Sequence, residues 1–484
     1  MDWKKSKGLL VRLAVCYWLL AILIYAIGNE QFRYQTVTTD TFSPAFHIGE
    51  VADGTEVTQR LVVPADRLES VSVMAGTFGR ENSGQLIMTL LNDAGEALAR
   101  ASVDVSTLVD AVYATAPLDQ PVEGYRGQAL KLLITTEGCQ IGTTITLYAG
   151  NMISTGRVDV VQQIGEEDLF VLNGVQGTGT LCVALTGTNT LSAYRLYWIV
   201  VGAAFALIAL YTVLAWKQAK QGRANALALV LNVYCRYGFM IHQLVSRDFK
   251  TKYKRSMLGM FWSFLNPLLT MLVQYAVFST LFRSNIPNYS VYLITGIVFF
   301  NFFSEAVTMG MTAITGNAAL IKKVYMPKYI YPISKILSSL INFALALIPM
   351  LLIILCTGTP IRPSMLLLIF DILCLVGFVT GMALLLSTAT TFFQDMVFLW
   401  GIISMMWMYM TPIFYPESII PQRMIGLYHM NPLYQFVTFA RTCIIDGVSP
   451  APMAYVQTLL SAAVVLLLGL WVFKRHQDKF VLYL

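Results

Sequence analysis

Cationic side chains cluster between residues 247 and 255, beside a long apolar stretch. They are Arg247, Lys250, Lys252, Lys254 and Arg255. On a helix, they would form a basic face opposite apolar side chains such as Leu244, Val245 and Phe249. A helix of this kind lies in the membrane surface, where its cations attract anionic head groups. The candidates for binding lipid phosphates are Arg247, Lys250, Lys254 and Arg255. Alternatively, these cations only flank a span and set its orientation.

A second basic segment, residues 316–332, joins two predicted spans. Asn317 can cap a short helix there, and Pro327 would end it. Such a helix would place apolar side chains at the centre of a basic surface, an arrangement that suits docking to another protein. Its candidate docking residues are Asn317, Leu320, Ile321, Lys322, Lys323 and Val324.

Aromatic side chains recur at helical spacing in two predicted spans. One face carries Tyr275, Phe278 and Phe282, and another carries Trp400, Ser404, Trp407 and Thr411. Sugar rings stack on flat aromatic faces through their C–H surfaces, so these faces would suit a channel for glycans. Lipid-facing packing or a belt at the membrane interface is the alternative. Glu305 is an acid within a span, which makes it either a functional candidate or a partner for a neighbouring helix.

Several kinds of chemistry are not expected in this chain. No G-x-x-x-x-G-K-[ST] motif occurs, so the chain does not hold ATP in a P-loop. The seven cysteines include no C-x-x-C pair and there are only four histidines, so no metal site is predicted. The acids of the predicted core are scattered, whereas a membrane enzyme should cluster acids or histidines near one membrane face. We therefore predict no catalytic residues and no cofactor in this chain.

Composition places the chain among membrane proteins. Its 484 residues are 56% hydrophobic and 12% charged, which is about half the charged share of a soluble protein. The net charge of +6 does not require a nucleic-acid partner, because the cations lie beside apolar runs as cytoplasmic flanks do. The sequence thus predicts an α-helical polytopic membrane protein with room for one soluble domain.

The N-terminal half would form two spans with a domain between them. Residues 1–30 are expected to be a retained anchor, because the apolar run is about 20 residues and matches a bilayer; a signal peptide is the alternative. Residues 31–192 alternate polar and apolar side chains in short runs, which predicts an extracytoplasmic, jelly-roll-like β-sandwich. Its Cys139 and Cys182 could form a disulfide or remain two unpaired core thiols. Residues 193–217 would form the second span.

The C-terminal half is predicted to carry most of the membrane-embedded chain. Residues 218–266 would form a cytoplasmic linker and the amphipathic interface helix. Residues 267–484 fit six spans, with segments at 413–452 that are too short to cross and are expected to be re-entrant. Positively charged flanks predict eight spans in all, both termini in the cytoplasm and the β-domain outside.

This chain resembles the permeases of ABC type-2 exporters in the segment with which those permeases begin. The matching residues are Arg247-Asp248-Phe249-Lys250, Tyr253-Lys254, Ser256, Leu258-Gly259, Trp262 and Pro267-Leu268. The likeness is closest to permeases that move polysaccharide, O-antigen or teichoic acid chains. The segment 316–332 is similar to that family's coupling helix, and further matches lie at 392–396, 409–416 and 431–433. Gln394 stands where an arginine is common in the family. The resemblance covers residues 244–484 and not the first 220 residues.

This resemblance implies a permease subunit in the bacterial cytoplasmic membrane. In the family, the coupling helix docks on a separate ATPase subunit, which holds ATP and Mg, and the spans at 267–282 and 397–411 line the channel. The chain would form a homodimer and export a lipid-linked polysaccharide such as O-antigen or teichoic acid. Alternatives are an exporter of a drug or small lipid, a membrane-embedded glycolipid-modifying enzyme, and an anchor for the β-domain. Residues 76–84 also loosely resemble a loop of carbohydrate-binding modules, with a structural spacer as the alternative.

Overall fold

The computed structural model describes residues 3–39, 41–42, 44–150, 152–154, 159–161, 169–191, 193–221, 226–253, 259, 261–282, 288–323, 326–420 and 422–484. The chain forms two compact units. A helical unit comprises Met1–Gln31, Ala193–Ile419 and Arg423–Leu484, and a β unit comprises Phe32–Ser192 and Ile420–Gln422.

The described part of the β unit contains sixteen strands, joined in antiparallel pairs. They are β1 (Tyr34–Thr38), β2 (Thr41–Phe42), β3 (Phe46–Val51), β4 (Val57–Val62), β5 (Arg67–Gly76), β6 (Gln85–Leu91), β7 (Ala97–Asp104), β8 (Val112–Glu123), β9 (Ala129–Glu137), β10 (Ile145–Gly150), β11 (Met152–Ser154), β12 (Asp159–Val161), β13 (Val171–Leu172), β14 (Val175–Gln176), β15 (Thr180–Leu181) and β16 (Val183–Thr190).

Two large sheets enclose the core of this unit. One has the order β1-β16-β5-β10-β15, with β3 beside β10 and β8 beside β5, and the other has the order β14-β13-β4-β9-β6-β7. Strand β9 alternates as a half-buried strand should, with Leu130, Leu132 and Ile134 inside and Lys131 exposed. Val73 of β5 joins the same core from the other sheet. The predicted β-sandwich is confirmed.

The two cysteines of the β unit do not pair. Cys139 and Cys182 are both free thiols and both are buried. The Cys139 thiol donates to the carbonyl of Ser83 at 3.3 Å, and burial raises the pKa of the Cys182 thiol to about 12. The expectation of a disulfide is therefore wrong, and the alternative of two core thiols describes this unit.

Thirteen α-helices lie in the part of the chain that the structure describes. They are α1 (Trp3–Arg33), α2 (Ala193–Lys220), α3 (Ala226–Tyr253), α4 (Phe261–Phe282), α5 (Tyr289–Met311), α6 (Ala318–Lys323), α7 (Ile330–Cys356), α8 (Leu368–Phe392), α9 (Met396–Met410), α10 (Gln422–His429), α11 (Pro432–Arg441), α12 (Pro452–His476) and α13 (Phe480–Tyr483).

Seven described segments are long and apolar enough to cross a bilayer, and the chain is a multi-pass membrane protein. They are Lys7–Arg33, Ala193–Gln218, Phe261–Ser279, Tyr289–Met311, Ile330–Cys356, Pro363–Phe392 and Pro452–Tyr483. The eighth predicted span is α9, which has only 15 residues. A helix of that length rises about 22 Å, less than the roughly 30 Å of a hydrocarbon core. By length, seven of the eight predicted spans can therefore cross a bilayer unaided, and α9 cannot.

Helices α1 and α2 pack through aromatic side chains and hydrogen bonds. The Tyr17 hydroxyl donates to the carbonyl of Val201 at 2.8 Å, and the Tyr197 hydroxyl donates to the carbonyl of Ala21 at 2.6 Å. Each hydroxyl thus satisfies a donor that apolar surroundings would otherwise leave unpaired. Trp18 and Trp198 stack between them, with ring centroids 6.5 Å apart.

Helix α5 is the buried centre of the helical unit. Phe299 and Phe303 on it are almost fully enclosed. The Phe303 ring lies 5.9 Å from that of Phe378 on α8 and 5.2 Å from that of Trp407 on α9. These contacts place one helix against several neighbours, so the site residues on α5 have fixed surroundings.

Helices α8 and α12 approach each other at two glycines. A Cβ atom built on Gly469 would lie 2.8 Å from the Cα of Gly381, and one built on Gly381 would lie 2.6 Å from the backbone nitrogen of Leu466. Small residues allow such close backbone contact between membrane helices. Any side chain at either glycine would therefore force the two helices apart.

Replacing Gly381 with alanine should destabilise the helical unit. Alanine favours a helix by about 1 kcal/mol over glycine, but overpacking costs about 1–3 kcal/mol. Gly377→Ala is the matched control, because its Cβ would meet only Ala462 at an ordinary 3.9 Å. Thermal unfolding of the two purified variants in detergent should show a lower midpoint for Gly381→Ala alone. Equal midpoints would mean that the helices can separate without cost.

Candidate functional site

The interface helix predicted from the basic cluster corresponds to α3. Leu244 and Val245 are buried, and Arg247 and Lys250 are exposed. The helix is therefore two-faced, as its sequence pattern predicts. Lys254 and Arg255 lie outside the described residues, so their roles stay predictions.

A cluster of charged and amide side chains connects α3 to its neighbours. The Asp248 carboxylate contacts Arg247 Nη2 at 3.1 Å and Lys335 Nζ, on α7, at 2.9 Å. Arg247 Nη2 also donates to Asn317 Oδ1 at 3.4 Å. Asp248 is mostly buried, so its two cationic partners offset the cost of removing its charge from water. The interface helix and the segment before α6 therefore share one polar network.

The predicted docking helix is a single 3₁₀ turn, Thr315–Asn317, followed by α6. Asn317 does not cap it as predicted; its amide instead donates back to the carbonyl of Ala313 at 2.8 Å. That bond ties the turn to the segment just after α5, and the Asn317 oxygen accepts from Arg247.

Side chains of α6 divide between the interior and the surface. Ile321 is buried in a cluster with Ile314, Leu384, Phe473 and other apolar residues, and Leu320 packs partly against the same cluster. Lys322 and Lys323 are exposed, as is Ala319. The apolar pair therefore anchors α6 to the helical unit of its own chain, and the outward surface is mainly basic. Val324 lies outside the described residues.

Glu305 on α5 joins three helices. Its Oε1 accepts from Lys252 Nζ on α3 at 2.7 Å and from Asn342 Nδ2 on α7 at 2.7 Å. The sequence left Glu305 as either a functional residue or a partner for a neighbouring helix. The structure shows that it bonds to two neighbouring helices.

The same three side chains line a cavity of about 620 Å³. Its wall also contains hydroxyl and amide groups and several aromatic rings. These lining residues include Trp262, Ser263, Asn266, Thr270, Asn301, Phe302, Ser304, Thr308 and Phe343. Polar groups set among rings can bind a ligand that has hydroxyls on one side and C–H surface on the other.

The aromatic face of α4 is half-buried. Tyr275 lies 6.0 Å from Tyr289, and Phe278 stacks on Phe414 with centroids 5.5 Å apart. Both rings belong partly to the protomer core. The side chain of Phe282 lies outside the described residues. A channel-lining role for these three residues stays a prediction.

The predicted aromatic face of α9 points into the protomer. Trp400 is 3% exposed and Thr411 is 0% exposed. Trp400 Nε1 donates to Thr308 Oγ1 at 3.1 Å, Trp407 Nε1 donates to Asn431 Oδ1 at 2.7 Å, and Ser404 lies 3.3 Å from Ser304. The polar atoms of Trp400, Ser404, Trp407 and Thr411 bond to α5 and to the Asn431 turn, although Trp407 is only half-buried. A channel-lining role for these four residues stays a prediction.

A buried arginine holds the chain after α9. Arg441 is 7% exposed and donates to the carbonyls of Tyr292, Pro412 and Ile413 at 2.7–3.3 Å. Its guanidinium also lies 3.3 Å from the centroid of the Tyr292 ring. Pro412 interrupts helical bonding, so carbonyls there need another donor. Arg441 supplies that donor.

Sequence reasoning missed Asn342 and Arg441 and assigned Lys252 no role. Arg441 and Asn342 stand inside apolar runs, and an isolated polar residue in such a run is the available signal. Their partners are distant in sequence, so the pairing itself was not visible.

Comparison with known proteins agrees with this architecture. Residues 240–445 match the model of the family described as ABC-2 type transporter. The O-antigen export system permease protein RfbA of Klebsiella pneumoniae is 30% identical over 250 residues, which cover 50% of this chain and 95% of that protein. The protein of the same description from Myxococcus xanthus is 29% identical over 260 residues, 52% of this chain and 97% of its own length.

This chain belongs to the ABC-2 type transporter family. The family match includes α4 to α11 and begins within α3. The polar network on α3, the cavity beside Glu305 and the Arg441 junction therefore all lie within the ABC-2 region. The main segment of the β unit, Phe32–Ser192, precedes it in the chain.

Removing the Arg441 guanidinium should destabilise this ABC-2 region. Arg441→Met keeps an unbranched side chain but removes four hydrogen bonds and leaves the Ile413 carbonyl without this donor, at a cost of about 1–3 kcal/mol. The exposed Arg423 on α10 provides the control variant Arg423→Met. Thermal unfolding in detergent should show a lower midpoint for Arg441→Met and no change for the control. If both variants unfold with the wild type, Arg441 does not hold the junction.

Proposed function

We propose that this chain is the permease subunit of an ATP-driven exporter that moves a lipid-linked polysaccharide across the bacterial cytoplasmic membrane. The observation that carries this proposal is the match to O-antigen export permeases over 95% or more of their length. Family membership makes the chain a transmembrane subunit rather than an enzyme. O-antigen or a similar surface glycan is the substrate class.

A separate ATPase would supply the energy, because this chain contains no P-loop motif. ATP and Mg would be held on that subunit. The basic outer surface of α6, with Lys322 and Lys323, is the proposed contact. Movement of α6 would reach α3 through the Asn317–Arg247 hydrogen bond and would then reach α7 through Asp248 and Lys335.

A second copy of the chain would complete the channel. In one protomer, α9 exposes a long apolar face that includes Phe398, Ile402, Met406 and Tyr409, each more than half exposed. In a bilayer such a face contacts lipid, so pairing with a second copy would be driven by close side-chain packing rather than by removal of apolar surface from water. We place the homodimer axis along this face, so that the glycan passes between the two copies.

The substrate would enter from the side, beside the interface helix. Exposed Lys250 and Arg247 suit the phosphates of a lipid carrier. The cavity at Glu305 and Asn342 offers hydroxyl and amide groups for the first sugars. Both features lie within the helical unit, so one ligand with an anionic head and a polar chain could use them in succession.

Reconstitution tests this function directly. The tagged chain would be purified from its host with the ATPase that accompanies it and placed in vesicles. ATP-dependent movement of the lipid-linked polysaccharide into the vesicles is the expected result. ATP-dependent movement of a drug or small lipid, with no movement of polysaccharide, would instead support the alternative substrate class.

Charge reversal on α6 should weaken the ATPase contact without unfolding the permease. Lys322→Glu with Lys323→Glu should lower affinity for the ATPase by about tenfold or more, measured by co-purification and titration. Lys217→Glu, an exposed charge change on α2, is the control. Ile321→Asp should act differently and lower the thermal midpoint, because it buries a charge in the protomer core. Full ATPase binding by the double variant would rule out the proposed contact.

The β unit should lie outside the cytoplasm, with both chain termini inside. A cysteine at the exposed Ala94 should react with an impermeant thiol reagent in intact spheroplasts, and a cysteine at Ala319 should react only after lysis. Both variants need Cys16→Ser and Cys356→Ser, because these native thiols are exposed. The reverse labelling pattern would invert the proposed topology.

A further inference from the structure

The loop between β5 and β6 presents an aromatic ring in an unusual backbone conformation. Phe78 has a φ of +57° and its side chain is 44% exposed. A bulky residue in the left-handed region is an outlier that the surrounding structure must hold in place. The exposed part of the ring gains no stabilisation from burial. Local folding therefore does not explain why phenylalanine stands here.

Several hydrogen bonds hold the loop in this conformation. The Thr77 backbone N–H donates to Asp110 Oδ1 at 2.7 Å, and Asn82 Nδ2 donates to the carbonyl of Thr77 at 2.9 Å. The Ser83 N–H donates to the carbonyl of Thr143 at 3.1 Å. Gly84 packs against the segment from Glu137 to Cys139. A Cβ atom built on Gly84 would lie 2.8 Å from the Glu137 carbonyl oxygen, so only glycine fits here. The ring is therefore presented by a fixed loop.

Polar and charged groups surround the ring. The Arg80 guanidinium lies 4.8 Å from the Phe78 centroid, and the His47 ring meets its edge with centroids 5.8 Å apart. Arg80 donates to the Glu50 carboxylate, and the Gly142 N–H donates to the same carboxylate at 3.0 Å. These two donors hold the pKa of Glu50 below its usual value, so the acid stays ionised near neutral pH.

We propose that Phe78, with His47, Arg80 and Glu50, forms a binding site for pyranose rings of a polysaccharide. A pyranose presents a C–H face that can stack on the exposed part of the phenyl ring. Its equatorial hydroxyls would then lie near the imidazole, guanidinium and carboxylate, which together offer donors and acceptors. Exposed Ile141, next to Gly142, would cover further C–H surface.

The proposal rests on the proposed function, because an exporter of polysaccharide places this glycan where the β unit would meet it. A site there would hold the emerging chain and hinder its return. The probe is therefore the lipid-free polysaccharide released by mild acid from the strain that carries the gene. Binding would be measured by titration with the purified full-length chain.

Three variants make the test specific. Phe78→Ala should lower the affinity for this polysaccharide by about tenfold or more, and Phe78→Trp should keep or raise it. Tyr34→Ala is the control, since Tyr34 is an aromatic residue of the same unit with 47% exposure. It should bind as the wild type does. Equal thermal midpoints would show that the loop variants remain folded.

Transport separates this inference from the proposed function. If vesicles export the lipid-linked polysaccharide but the purified chain does not bind the free glycan, or if Phe78→Ala binds it like the wild type, the site is refuted and the exporter stands. If no polysaccharide is exported in the vesicles, the function itself is refuted. Binding lost in Phe78→Ala and kept in Tyr34→Ala and Phe78→Trp establishes the site.

Discussion

The hydrogen bonds from Arg441 to three carbonyl groups allow the ABC-2 region to break its helical structure inside a membrane. Lipid offers no hydrogen-bond partners, so each peptide group exposed by a break must be satisfied by protein. Helix α9 ends before Pro412, and the carbonyls of Pro412, Ile413 and Tyr292 converge on one guanidinium. Arginine suits this task because its planar fork carries five donors. Helix α11 ends at Arg441, so these bonds also tie α11 to the break.

A second polar network joins neighbouring helices rather than relieving a break within one. Glu305, Lys252 and Asn342 join α5, α3 and α7, and Asp248 with Lys335 joins α3 to α7 again. Glu305, Lys252 and Asn342 line a cavity, so their bonds can exchange with ligand groups at little cost. Asp248 is mostly buried, so its pairing with Lys335 is more costly to break. The α8–α12 contact, built on glycines, has no such freedom. The helical unit therefore combines a rigid packed side with a side whose contacts are polar and replaceable, which suits a transporter that must open.

Features that depend on local pattern could be predicted from the sequence, and features that depend on distant partners could not. Period-two alternation gave the β-sandwich, and apolar runs gave seven helices long enough to cross. The two-faced α3 also followed from spacing. The predicted outward orientation of Ile321 was wrong. An amphipathic pattern does not reveal which face of a helix packs against the rest of its own chain. The disulfide was wrong for a similar reason: the Cys139 thiol bonds to Ser83, which is 56 residues away in the sequence. Lys252 and Arg441 acquire their roles only through partners more than 25 residues away.

The two faces of α9 show how chemistry and packing separate on one helix. Tryptophan offers a large flat surface on which a sugar can stack. The indole N–H groups of Trp400 and Trp407, however, donate to Thr308 and Asn431. An N–H buried without a partner would cost about 1–3 kcal/mol, so these rings are fixed by their polar tips. The opposite face carries Phe398, Tyr409 and two methionines, which have no such constraint on their apolar atoms. Methionine is flexible and adapts to different shapes. A proposed channel between two copies would thus have a pliable wall with a few rings, which suits a long glycan that must slide rather than bind tightly.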